Sequence, residues 1–138
     1  METGFNVRYF KDAERLLRFA MLLTLLIAGI SKFYSHGNFH DYYLSQFTRT
    51  TLRLQLPGAI YNIYLHLIPY IEVLLALALL LSKYRRYVII AWVLYFISLE
   101  TGHYILEEFA TVNGIIPYIL LGAITYVLPA HQSLIRRD

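Results

Sequence analysis

RFAMLLTLLIAGISK (residues 18–32) and RYVIIAWVLYFISLE (residues 86–100) decide how this chain is read. Each is a basic residue, thirteen uncharged residues, and then a charge: Lys32 closes the first run and Glu100 the second. A bilayer crossing needs about 20 apolar residues, so neither run spans unless its closing charge lies within or at the edge of the membrane. Charges there are costly in lipid; they face a bundle interior and find partners. The two stretches therefore predict an all-α integral membrane bundle with a buried polar site.

The rest of the chain agrees. Of 138 residues, 58% are hydrophobic types and only 15% are charged, whereas an average soluble domain is about half apolar and a quarter charged. Four apolar stretches fall at about 16–34, 60–82, 87–106 and 114–129. They are apolar all round, as lipid-facing or buried helices are. One membrane domain over 1–138 is expected.

Basic residues give the orientation. Arg8, Lys11, Arg15 and Arg18 lie in the N-terminal region up to the start of the first span, Lys83, Arg85 and Arg86 lie between the second and third, and Arg136 and Arg137 follow the fourth. Four crossings place all nine on one face, so both termini are expected to be cytoplasmic. This arrangement accounts for the net charge of +3 without a nucleic-acid partner. A cleaved signal peptide is disfavoured, because Asp12 and Glu14 interrupt the basic start and no small-x-small site follows. The chain has no cysteine, which removes disulfides, thiolate metal sites and thiol redox chemistry.

The connection over 35–59 is long and expected on the outer face. Phe39, Tyr43 and Phe47 recur at helical spacing and predict a short amphipathic helix, either along the membrane surface or capping the bundle. Pro57 and Gly58 then mark the start of the second span. Many of the thirteen tyrosines flank the spans, as interfacial belts do. Tyr70, Tyr95 and Tyr118 lie deeper, where their hydroxyls need partners, and are candidate ligand-binding residues with His66.

Lys32, Glu72 and Glu100 form the candidate buried cluster. Glu72 is expected roughly 4 to 5 Å deeper than the other two, within reach of a lysine side chain. Such a trio can lock helices, relay a proton or bind a ligand. Above it, Glu100 and His103 share a helix face at i, i+3 spacing. With His36 and His40 they could hold zinc or iron, or haem. Phosphate loops, nucleophile elbows and zinc-protease motifs are absent from the sequence.

Gly29-Ile30-Ser31-Lys32 at the end of the first span and Pro69-Tyr70-Ile71-Glu72 in the second, with four spans and a longer first outer connection, resemble the DoxX-like family, which includes MauE-type proteins. The likeness covers residues 15–129. It implies a four-helix membrane bundle, usually of the bacterial inner membrane, with Lys32 and Glu72 as the matched polar pair. Members of that family serve as subunits of thiosulfate–quinone oxidoreductases or assist maturation and redox balance, and the MauE branch is linked to disulfide formation in a partner. The expectation is an accessory or assembly subunit of a membrane complex, redox in character, with a protein partner or a second copy of itself, and not itself an enzyme. Two alternatives stand beside it: a subunit that binds a quinone through Lys32 and neighbouring tyrosines, and a His/Glu metal or haem protein. A small dimeric transporter is a further alternative, resting on Pro69 and Pro117 within spans two and four.

Overall fold

The computed structural model describes residues 2–34 and 38–129. They form five helices and no strand: α1 (Glu2–Tyr34), α2 (Asn38–Phe47), α3 (Gly58–Ala78), α4 (Arg85–Ile105) and α5 (Phe109–Val127). A single 3-10 turn, Ser82–Tyr84, joins α3 to α4. Four of the helices are long and apolar enough to cross a membrane: Arg8–Tyr34 within α1, then α3, α4 and α5.

The helix boundaries follow from local chemistry. Pro57 cannot continue a helix backwards and precedes the first turn of α3. Pro69 and Pro117 sit inside α3 and α5; membrane helices tolerate such prolines where neighbouring helices satisfy the freed backbone. The turn between α4 and α5 is made by Glu107, whose φ of 60° is left-handed. Its N–H donates to Tyr104 O and that of Glu108 to His103 O, which satisfies the last carbonyls of α4. The first helix begins well before residue 16, so Glu14 and Arg18 lie within α1 and not in a loop ahead of it.

Consecutive spans pair. α1 packs along α3 and α4 along α5, while α1 against α5 and α3 against α4 close the ring. A glycine permits each close pairing. A Cβ on Gly29 would stand 3.0 Å from Glu72 Cβ and 3.1 Å from the Pro69 carbonyl oxygen of α3. A Cβ on Gly122 would stand 2.7 Å from the Trp92 ring of α4. Between the pairs lies a core built on Met21, Leu25, Leu79, Ile89, Trp92 and Phe96. Trp92 donates its indole N–H to the Tyr118 carbonyl oxygen at 3.0 Å, so the one buried tryptophan is satisfied by α5.

The outward faces are apolar. Leu16, Ile27, Leu74 and Leu94 are each at least 60% exposed, a distribution suited to lipid and not to water. The long connection is a cap: α2 packs on α3, Phe47 is buried, and its ring stacks on Tyr61 at 4.4 Å. The chain beyond α2 is irregular and exposed, held by bonds such as Leu56 N–H to the Tyr61 hydroxyl at 3.2 Å.

Candidate functional site

The cap, the end of α1, α3 and α4 line a half-open cavity of about 180 Å³. Its apolar wall is Phe39, Phe47, Leu65, Ile68, Leu99 and Leu106; its polar wall is Lys32, Glu72, Tyr43, Tyr64 and His103. Each side chain arrives by helix register. Phe39, Tyr43 and Phe47 come at four-residue steps along α2; Leu65, Ile68 and Glu72 on α3, and Leu99, His103 and Leu106 on α4 and its C-cap, come at three- and four-residue steps.

Glu72 organises the polar wall. It is 3% exposed, and Lys32 Nζ donates to both of its carboxylate oxygens at 2.7 Å. The Tyr95 hydroxyl donates to Oε1 at 2.6 Å. A buried carboxylate demands such company, since an isolated one carries a desolvation penalty of several kcal/mol. Helices α1, α3 and α4 thus meet at one charge. Lys32 also lies 5.1 Å from the centre of the Phe39 ring, a cation–π contact that ties α2 to the same point. Tyr64 and Ser98 share a hydrogen bond at 2.9 Å, and Ser98 donates to the Tyr95 carbonyl, which extends the network along α3 and α4.

Glu100 stands apart from this cluster. It is half-buried and makes no hydrogen bond or ion pair among the described residues. Tyr95 occupies the place on α4 from which a side chain reaches Glu72. Of the other candidate residues, Tyr70 is exposed with its ring edge-on to Phe33 at 5.1 Å, and Tyr118 stacks on Phe96 at 5.0 Å.

The rim histidines divide into two groups. His103 Nδ1 donates to Glu108 Oε2 at 2.7 Å, and the ring stands edge-on to Tyr43 at 5.8 Å. Burial pushes the Tyr43 hydroxyl pKa upward, helped by the negative charge of Glu108. His40 bonds Asp41 Oδ1 at 2.9 Å through Nδ1 and Asn62 Oδ1 at 2.8 Å through Nε2, and its ring meets that of His66 at 4.3 Å. With two oxygen partners it favours the doubly protonated ring, and its pKa is raised, chiefly by Asp41. His36 lies outside the described residues. Among the described residues no three His, Cys, Asp or Glu side chains gather as metal ligands would.

A second ionic site, at the opposite end of the bundle, was not among the sequence candidates. Glu14 is fully buried and its Oε1 accepts from Arg85 Nε at 2.7 Å, with Arg18 Nε at 3.2 Å. Arg18 Nη1 donates to Leu79 O at the end of α3. Arg85 Nη2 donates to Thr125 O and, at 2.9 Å, to Leu128 O at the end of α5. Each arginine therefore caps a helix C-terminus, where a cation is favoured, and both share one carboxylate. The i, i+4 spacing of Glu14 and Arg18 was visible in the sequence; Arg85 was absorbed into the basic pattern of a cytoplasmic connection.

Comparison with known proteins fits this architecture. The family model described as methylamine utilisation protein MauE matches residues 11–128. Neither the curated proteins nor the solved structures give a match. The chain belongs to the MauE family and is an integral, multi-pass membrane protein.

Proposed function

We propose that this MauE-family protein is a non-catalytic accessory or assembly factor for a larger, redox-type complex of a bacterial inner membrane, in keeping with its resemblance to the wider DoxX-like group. The family description attaches such proteins to methylamine utilisation, and that pathway is the first place to seek the partner. One observation carries the reading. The buried charged groups bind partners: Glu72 is held by Lys32 and Tyr95, and Glu14 by Arg18 and Arg85. They join helices and do not form a poised acid–base or nucleophilic set. The lack of cysteine removes any thiol relay through the chain itself, so a redox role would belong to the partner.

The test is made in the native membrane. A photo-crosslinker at Tyr42, which is exposed on α2, should capture one defined larger protein, and deletion of the gene should lower that protein's amount. Loss of growth on methylamine in the deletion strain would assign the pathway. No discrete adduct from any position on α2, α4 or α5, together with unchanged membrane-protein levels in the deletion strain, would sink the reading.

A further inference from the structure

The half-open pocket under α2 has room for a small occupant. An apolar cavity of about 150 Å³ holds one benzene ring. At about 180 Å³ this one accommodates a single substituted ring. Its walls select the chemistry. Phe39, Phe47, Leu65 and Leu99 supply flat apolar surface, as ligand sites with a few convergent polar groups do.

The charged groups of the polar wall are paired, Lys32 with Glu72 and His103 with Glu108, each at 2.7 Å. An ion entering the cavity would lose its hydration without a counter-charge, so a neutral molecule is favoured. Two polar atoms remain for it. The half-buried Tyr43 hydroxyl makes no hydrogen bond among the described residues and lines the pocket, so it is available to a ligand. His103 is oriented through Nδ1 by Glu108, which leaves Nε2 as its remaining polar atom.

We propose that this cavity binds one neutral, single-ring aromatic molecule that carries a hydroxyl or carbonyl oxygen, with Tyr43 and His103 as its hydrogen-bonding partners. Phenols have that chemistry. The site goes beyond the accessory role, which requires no small molecule and would survive its absence.

The experiment uses the full chain in phosphatidylcholine nanodiscs, titrated with 4-fluorophenol and followed by fluorine NMR, with empty nanodiscs to subtract partitioning. Saturable binding of roughly one molecule per chain is expected, as for a single small-molecule pocket. Fluorobenzene, which lacks the hydroxyl, should bind about tenfold more weakly, the equivalent of one good hydrogen bond. Tyr43→Phe should weaken 4-fluorophenol about threefold to tenfold and leave fluorobenzene unchanged. Gly102→Leu fills the cavity from α4; a Cβ at that position meets only Phe47, at an ordinary 3.5 Å, and the variant should lose the saturable signal while keeping its helical content. Leu99→Trp is the second filling variant should the first not fold. p-Cresol should displace 4-fluorophenol, and failure to displace it would count against the proposal. No saturable signal above empty nanodiscs, or equal binding by a folded filling variant, would overturn the proposal.

Discussion

Glu14 and Arg85 are 71 residues apart in sequence, and Arg85 Nε donates to Glu14 Oε1 at 2.7 Å in the fully buried end of the bundle. The contact joins the first half of α1 to the start of α4, and through Arg85 to the end of α5. Removing the carboxylate would strand two buried guanidinium groups. Glu14→Ala is therefore expected to destabilise the protein by about 3–5 kcal/mol, the usual loss when one partner of a buried pair is removed. Reversible unfolding in detergent would measure it. Stability within 1 kcal/mol of the parent would show that the carboxylate is not what holds these arginines.

The Lys32–Glu72 pair should show the same asymmetry. Lys32→Met leaves a buried carboxylate with only Tyr95 as partner. It should be more destabilising than Lys32→Met combined with Glu72→Met, because the double variant removes the orphaned charge. Tyr95→Phe should cost about 1.5–3 kcal/mol, as for a hydrogen bond to a charged group. A double-mutant cycle on Lys32 and Glu72 that gave no coupling energy would refute the pairing as a stabilising contact.

Gly29 and Gly122 test the two helix pairings separately. Gly29→Ala drives a methyl against Glu72 Cβ and the Pro69 backbone oxygen, neither of which can swing away. A loss of about 1–3 kcal/mol is expected, as for other overpacked sites. Gly122→Ala meets Val93 and the buried Trp92 ring, and here Val93→Ala should restore part of the loss. Alanine at either position without penalty would mean that the helices can separate at no cost.

Glu107 is the only residue other than glycine with positive φ among the described residues. A side chain in the left-handed region costs roughly 1–2 kcal/mol, and the position after a helix end is where glycine is favoured. Its pair with Arg53 spans 3.6 Å between two exposed groups and contributes little. Glu107→Gly should raise stability by up to about 1 kcal/mol. A lower melting temperature would contradict this.

His40 gives the pH dependence of the cap. Its pKa is raised by Asp41 and Asn62 above the unfolded value of about 6.5. The contribution is thus complete below about pH 6.5 and is lost as pH rises through the folded value. Hydrogen-exchange protection factors in α2 should fall over that window in the parent and stay flat in His40→Gln. A parent profile that rises with pH would reverse the assigned protonation.

Length and hydropathy determined the four apolar helices, and the charges closing two apolar runs marked Lys32 and Glu100, with Glu72 inside the second span, as residues that must be buried. Apolar length is a local property that survives without a fold. The spacing of Phe39, Tyr43 and Phe47 likewise encoded α2, but not whether it lay on lipid or on the bundle. Which residue completed the site was a tertiary matter. Tyr95 and Glu100 are five positions apart on α4, about 140° around a helix of 3.6 residues per turn, so the rotation that presents Tyr95 to Glu72 turns Glu100 elsewhere. A helix apolar on every face does not encode that rotation in its hydropathy. It was set by packing of Trp92 and Val93 against Gly122 and by the distant pairing of Glu14 with Arg85.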